Sequence, residues 1–322
     1  MQAALAIAAA SAPSLLAYNV SPSPTFLNQA LALALWAGFV LACRPRVAGR
    51  QGWMLWAALG LVAVGVLWSS GPMGALPSSL GLSALGMVFA AVVLAAAGTA
   101  ARRGTAGVDG AVLFNAFAAG WVIAGVLNVG VALVQVFLPA LADGQWIAST
   151  NLPGRAVGNL RQPNHLSSLL LWSAIATVAM VERGALSRRL AAVLVAAFVF
   201  GVVLTASRTG VVSVALLALW GLVDRRLSKP TRGLLLAAPA VYAIAWFGMA
   251  QWAAMSRSTF GGAERLAEVG DTSSRVTIWA ETLALVRESP WLGVGFGEFN
   301  FAWTLTPFPG RPNAFFDHTH NL

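Results

Sequence analysis

The chain has 322 residues, of which 58% are hydrophobic and only 10% are charged, and its mean hydropathy is +0.75. These values exclude an ordinary soluble domain, in which charged residues make up about a quarter of the chain. The net charge is +9, but the basic residues are scattered between apolar runs, which argues against a nucleic-acid partner. The one cysteine, Cys43, excludes an internal disulfide. The composition therefore predicts a polytopic protein embedded in the lipid bilayer.

Nine apolar runs predict an all-α transmembrane helix bundle, because helices of about 20 residues can satisfy their own backbone while crossing the hydrocarbon. The first, seventh and eighth runs are short. Residues 1–250 are predicted to form the bundle, and residues 251–322 a loop region outside the membrane that contains short helices. The predicted spans are residues 4–18, 26–43, 53–70, 79–99, 111–138, 165–181, 190–206, 209–224 and 231–250.

The basic residues predict the orientation of these spans. Alternation from a cytoplasmic N-terminus places twelve of the 20 basic residues on one side, which the positive-inside rule makes cytoplasmic. The other basic residues are all arginines and fall on the outer side together with all three histidines. The outer arginines are Arg155, Arg161, Arg208, Arg257, Arg265, Arg275, Arg287 and Arg311. Because a guanidinium holds phosphate oxygens bidentately, this distribution predicts charged chemistry at the outer face.

The last polar stretch predicts a helix over 275–288, because polar residues that favour a helix start precede it and Pro290 follows it. Arg275 lies in its first turn, where a cation is unfavourable beside the positive end of the helix dipole. An anion bound by both the arginine and the helix start would remove this conflict. One face of this helix carries an apolar stripe, which we expect to lie against an apolar surface such as the membrane. The stripe consists of Val276, Trp279, Leu283 and Val286.

Two shorter segments complete the outer face. Residues 151–165 are dense in turn formers and polar side chains and predict an ordered loop at the membrane surface; Asn159 has no predicted role within it. Ser207 to Gly210 form a break between two apolar runs. Arg208 in this break is placed at the depth of lipid head groups, which is costly without an anionic partner.

The order of these motifs resembles one family. GNLRQPNH stands at 158–165, SRTG at 207–210, SSRVTIW at 273–279, SPWLGVGFGEF at 289–299 and HTHN at 318–321. The set resembles the O-antigen ligase superfamily and, within it, the pilin-glycosylating O-oligosaccharyltransferases of the PglL type. Family members continue through further spans beyond the HTHN motif, so the resemblance implies a chain truncated after Leu322.

The resemblance implies a glycosyltransferase in the bacterial inner membrane with its active site facing the periplasm. Such an enzyme transfers a glycan from undecaprenyl pyrophosphate to a hydroxyl group without a metal, cofactor or nucleotide sugar. The RQPNH block favours a serine or threonine of a pilin-like protein as acceptor. A sugar of the lipid A core, as in a ligase, and another repeat unit, as in a polymerase, remain alternatives.

The same resemblance assigns roles to individual residues. It implies that His320 is the general base, and that Arg208 and Arg275 bind the pyrophosphate. The predicted substrate-binding residues are Arg161, Gln162, Asn164, His165, His318 and Asn321. His318 and His320 could form a metal-binding pair, but no cysteine or third histidine is near them in the sequence, so no metal is predicted.

A transporter is the competing class, since a polytopic bundle fits it equally well. Carriers place ionisable residues inside their spans near the middle of the membrane. The predicted spans contain almost none, and the polar residues collect at one face, which favours chemistry on a lipid-linked substrate.

Overall fold

The computed structural model describes residues 1–18, 25–43, 53–69, 79–101, 109–263, 273–291, 293–294 and 299–308. Within these ranges the chain forms helices, turns and loops and no strand, which confirms the predicted all-α class. A helix occupies each of the nine predicted spans. These helices are α1 (Gln2–Ser11), α2 (Phe26–Cys43), α3 (Trp53–Ser69), α4 (Ser79–Ala101), α5 (Gly110–Phe137), α6 (Pro163–Glu182), α7 (Arg188–Thr205), α8 (Arg208–Val223) and α9 (Lys229–Ser256).

Six of these helices, α2, α4, α5, α6, α7 and α9, are long and apolar enough to cross a membrane. The shorter apolar helices are α1, which continues as a 3₁₀ helix over Ala12–Leu15, together with α3 and α8. The sequence correctly indicates that α1 and α8 are short. The expectation that α7 is short is wrong, because α7 has 18 residues. The third short helix is instead α3, with 17 residues.

The chain divides into two compact units. The first comprises Met1–Arg44 and Ala101–Glu268, and the second Pro45–Ala100 and Val269–Leu322. The first unit therefore holds α1, α2 and α5 to α9. The second holds α3, α4 up to Ala100, and two further helices, α10 (Ser273–Glu288) and α11 (Phe299–Leu305).

Close packing of α5, α6 and α7 forms the centre of the first unit. Gly125 of α5 lies so near its neighbours that a Cβ there would stand 2.5 Å from Ser173 Oγ and 2.7 Å from a ring carbon of Phe198. Ser173 Oγ donates to the carbonyl oxygens of Leu169 and Trp121, so the hydroxyl joins α6 to α5. Small residues at such crossings let helix backbones approach closely, as membrane bundles require.

The first unit has two chemically different ends. We call the end at which α5 and α7 finish and α6 and α8 begin the loop end, and the other the basic end. At the basic end, Glu182 accepts hydrogen bonds from Ser228 and Thr231, which places the end of α6 beside the start of α9. The described basic residues of the first unit divide between these two ends in the same two groups that the sequence analysis assigns to opposite sides of the membrane. Arg155, Arg161, Arg208 and Arg257 belong to the loop end, and Arg183, Arg188, Arg189, Arg225, Arg226, Lys229 and Arg232 to the basic end.

The second unit contains the predicted helix over 275–288, which is observed as α10. One face of this helix packs within the second unit. Ile278 and Leu285 pack with Trp303 of α11, and Trp303 Nε1 donates to Glu281 at 2.6 Å. On the face that carries the predicted stripe, Trp279, Leu283 and Val286 are 44%, 56% and 52% exposed, and the contact of this face with an apolar surface such as the membrane stays a prediction. The opposite, buried face includes a glutamate, so apolar periodicity alone does not identify it.

The glycine packing of α5 yields a stability prediction. We expect Gly125→Ala to destabilise the protein by about 1–3 kcal/mol, because the added methyl group overpacks the contact with α6 and α7. Gly130→Ala on the same helix is the matched control: its Cβ would meet nothing within 4 Å. The control should be neutral or slightly stabilising, because alanine favours helix. Thermal unfolding in detergent compares the two, and equal midpoints would contradict the packing account.

Candidate functional site

The loop that precedes α6 is fastened to the end of α5 by one side chain. Gln135 is 3% exposed, and its Oε1 accepts hydrogen bonds from the backbone N–H groups of Val157 and Gly158, both at 2.9 Å. Its Nε2 donates to the carbonyl oxygens of Ala148 (2.6 Å) and Gly158 (3.2 Å). All the hydrogen-bonding capacity of the amide is thereby used, and two distant points of the loop are held on α5.

Asn159 makes the second set of loop contacts. It is 2% exposed; its Oδ1 accepts from the N–H of Ala148, and its Nδ2 donates to the carbonyl oxygens of Leu15 and Trp146. The expectation that Asn159 has no role is therefore wrong. Its amide closes the loop on itself and ties the loop to the segment after α1. Sequence reasoning missed it because an asparagine in a turn-rich stretch is also typical of an exposed turn.

Backbone contacts join this loop to α7 and to the segment after α9. Ala156 N–H donates to the carbonyl of Leu204 at 2.8 Å, and Arg155 Nε donates to that of Thr205 at 3.2 Å. Gly261 N–H donates to the carbonyl of Gly154 at 3.1 Å. Neither glycine leaves room for a side chain: a Cβ on Gly154 would lie 2.3 Å from a carbonyl oxygen, and one on Gly261 would lie 2.2 Å from a carbon of Arg155.

Arg161 is held by the protein. Its backbone is left-handed, with φ 58°, which is uncommon outside glycine. Its guanidinium donates to Asn28 Oδ1 at 3.4 Å and to the carbonyl oxygen of Ala17. Partial burial lowers the pKa of Arg161, although an arginine stays charged at physiological pH. The side chain thus links the loop to the start of α2, and part of its donor capacity is used within the protein.

A chain of hydrogen bonds joins the first turns of α6 and α8. Asn164 Oδ1 accepts from Ser207 Oγ at 2.7 Å and from Thr209 Oγ1 at 3.4 Å. The hydroxyl groups of Ser207 and Thr209 lie 2.7 Å apart, and Ser207 Oγ caps α8 by accepting from Gly210 N–H at 3.2 Å. The RQPNH and SRTG motifs, far apart in sequence, are therefore in direct contact.

This junction presents positive potential. Arg208, the first residue of α8, is exposed, and so is His165 in the first turn of α6. Gln162 is the N-cap residue of α6, but its side chain caps no N–H of the helix, and its enclosed Oε1 has no partner among the described residues. Each helix start carries free N–H groups and the positive end of the helix dipole. Two such starts side by side, with a guanidinium on one of them, form an arrangement suited to an anion.

The side chains of the remaining predicted site residues lie outside the described part of the structure. Arg275 lies in the first turn of α10, in the second unit, and its side chain is outside the described part of the structure, as are His318, His320 and Asn321. Their roles stay predictions from the sequence. Among the described residues, no group of three or more His, Cys, Asp or Glu side chains could hold a metal ion.

Two buried amides within α5 were missed by the sequence analysis. Asn128 is fully buried, and its Nδ2 donates to the carbonyl oxygens of Ala124 (3.0 Å) and Ser14 (3.4 Å). Gln135 lies seven residues further on, so both amides are on one face of the helix, two turns apart. A pair of polar residues on one face of an otherwise apolar span was the available signal, because such residues are costly in lipid unless they have partners.

The fold and this junction define a polytopic, all-α membrane protein with an anion-compatible site at one end of its first unit. Residues 191–322 match the O-antigen ligase family, and residues 156–180 match the protein glycosylation ligase family. The chain is similar to the O-antigen ligase superfamily and to its protein-glycosylating branch, as the motif order predicts.

One curated relative is the ComP-specific O-oligosaccharyltransferase of Acinetobacter baylyi, which is 25% identical over 207 residues, or 61% of this chain. The aligned part covers 34% of that relative, so the chain spans about a third of the relative's length. No solved structure is significantly similar to this chain.

The contacts of Gln135 yield the second prediction. We expect Gln135→Met to accelerate cleavage by trypsin after Arg155 and Arg161 about tenfold or more. The substitution keeps the volume but leaves two buried N–H groups without acceptors, which costs about 1–3 kcal/mol per unpaired group. Each 1.4 kcal/mol raises the population of the opened loop tenfold.

Mass spectrometry of the timed digests identifies the cut sites. Gln251→Met, at an exposed glutamine of α9, is the matched control and should leave the cleavage rate unchanged. An unchanged rate in Gln135→Met as well would show that the loop does not depend on this amide.

Proposed function

We propose that the protein transfers a glycan from undecaprenyl pyrophosphate to a serine or threonine hydroxyl of a pilin-like protein at the periplasmic face of the inner membrane. The observation that carries this proposal is the hydrogen bond between Asn164 and Ser207. It brings the start of α6, within the protein glycosylation ligase match, against the start of α8, within the O-antigen ligase match. The positive potential of this junction suits the pyrophosphate of a lipid-linked donor.

In this proposal Arg208 binds the pyrophosphate. Cleavage of the bond between sugar and phosphate increases the negative charge of the leaving group, so a fixed guanidinium stabilises the transition state more than the ground state. The capped α8 start and the Asn164 contacts hold the backbone of Arg208 in place. Arg275 is the proposed second pyrophosphate ligand, and His165 and Gln162 contact the donor glycan or its phosphates beside them.

His320 is the proposed general base, with Asn321 beside it and His318 in a supporting role. A hydroxyl group is a weak nucleophile at neutral pH, and only histidine has an unperturbed pKa near neutrality. The base removes the proton of the acceptor hydroxyl while the arginines stabilise the departing pyrophosphate, so the proposed reaction needs no metal or other cofactor.

The match at 156–180 and the name of the curated relative support a protein acceptor over a lipid A core sugar or a second repeat unit. The buried polar residues of α5 disfavour the transporter alternative. Asn128 and Gln135 form hydrogen bonds with backbone groups of the protein, whereas in a carrier such side chains line a central substrate site.

Replacement of Arg208 by lysine tests the pyrophosphate clamp. We expect Arg208→Lys in the complete gene product to lower glycan transfer about 10- to 100-fold, because a charge-assisted hydrogen bond contributes about 1.5–3 kcal/mol and an ammonium group cannot bind two oxygens side by side. Arg257→Lys, at an exposed arginine of the same end, is the matched control and should keep full activity. Glycosylation of the acceptor, followed in cells by mass spectrometry, compares them; equal activity of both variants would refute the clamp.

Replacement of His320 by alanine tests the base. Transfer should fall about 10²- to 10⁴-fold, the usual contribution of a positioned base, while binding of the lipid-linked donor stays intact because arginines hold it. His318→Ala should have a smaller effect. Transfer and donor binding are measured on the same membranes. Wild-type transfer by His320→Ala, or a joint loss of donor binding and transfer, would show that His320 is not the acceptor-activating base.

A further inference from the structure

A cleft of about 270 Å³ opens between α6, α7 and α9 at the basic end of the first unit. Its walls are predominantly apolar. Val178 and Val181 contribute from α6, Ala191 and Ala192 from α7, and Leu234 from α9. Arg188, the first residue of α7, also lines it. An apolar cleft with an arginine in its lining is complementary to both parts of a phospholipid, the acyl chain and the phosphate.

The position of these residues fixes where the cleft lies along the helices. Ala192 lies one helical turn further along α7 than Arg188. Leu234 lies one turn further along α9 than Pro230, which is the second residue of that helix. The cleft therefore extends about 5 Å from the helix ends into the span. At that depth in a bilayer, the head groups give way to the first methylene groups of the acyl chains.

The charge of Arg188 is available to a ligand. Its side chain is exposed, and within the described ranges it donates no hydrogen bond to the protein. Glu182 carries the negative charge that interacts with it, but both carboxylate oxygens already accept hydrogen bonds, from Ser228 and Thr231. The start of α7 adds the positive end of its dipole at the same place.

Two other basic residues of this end are used differently. Arg183 donates to Asn115 Oδ1 at 2.8 Å and lies 5.1 Å from the ring centre of Phe114. Arg232 donates to two carbonyl oxygens at the end of α8. Both guanidinium groups thus serve helix packing, whereas Arg188 lines the cleft.

We propose that this cleft binds an anionic phospholipid, with the phosphate on Arg188 and the first part of an acyl chain along Val178, Ala192 and Leu234. The cleft is smaller than the pockets that enclose whole small molecules, about 300–1,000 Å³, so it suits a segment of a chain whose remainder stays in the bilayer. It lies towards the other end of α6 from Asn164, because its α6 lining residues, Val178 and Val181, are about 21–26 Å further along the helix. The lipid is therefore distinct from the proposed glycan donor.

The arginine pair at the start of α7 provides the test. The purified full chain in detergent is mixed with dioleoylphosphatidylglycerol, and the retained lipid is counted by native mass spectrometry. Arg188→Ala should weaken retention about tenfold, whereas Arg189→Ala, which removes the same charge one residue away and outside the cleft lining, should retain lipid like the wild type. Equal losses of lipid retention in both variants would show that retention depends only on the general positive charge of this end, and would refute the proposed site.

A second pair of variants tests the apolar part. Ala192→Phe fills the cleft and should abolish the rise in unfolding temperature that the lipid produces, whereas Val193→Phe at the next, 65% exposed position should preserve it. Each variant's unfolding temperature without lipid shows whether it is folded. Equal protection by dioleoylphosphatidylcholine would contradict selection of an anionic head group, and equal protection by soluble glycerol 3-phosphate would contradict the acyl-chain contact.

Discussion

The amide of Gln135 is the contact on which the loop end of this protein depends. A polar loop can lie against an apolar helix bundle only if its inward-facing N–H and C=O groups find partners, since lipid offers none. Gln135 supplies two acceptor and two donor contacts from within α5, and Asn128 and Asn159 extend the same network to the segment after α1. These hydrogen bonds hold the loop against the bundle, and α6 therefore begins beside the start of α8.

The arginines of the loop end are not equivalent, although the sequence presents them as one set. Arg155 and Arg161 donate to backbone carbonyl oxygens and hold the loop in its shape. Arg208 is exposed at the start of a helix whose dipole favours anions. The first two provide structure, and the third is the residue that we propose as a pyrophosphate ligand. At the basic end, Arg183 and Arg232 likewise serve helix packing, whereas Arg188 lines the cleft that we propose as a lipid site.

The sequence predicts the helices well because the length of an apolar run is dictated by the thickness of the bilayer, and all nine runs form helices. It also predicts which segments form the loop end. It does not predict the network beneath them, because Asn128 and Gln135 are neutral residues in an apolar run and their partners come from distant segments. The contact within the second unit is missed for a related reason: Glu281 is buried against Trp303 of α11, a pairing that no periodicity within one helix can reveal.

The backbone contact between Gly154 and Gly261 has a consequence for the modularity of the protein. It fixes the point at which the polar stretch after α9 leaves the bundle, because neither position has room for a side chain. The chain up to Ala263 is thus bound to the frame that carries the starts of α6 and α8. In a chimera between relatives, a junction placed after Ala263 therefore takes both glycines from the same parent and keeps this backbone contact intact.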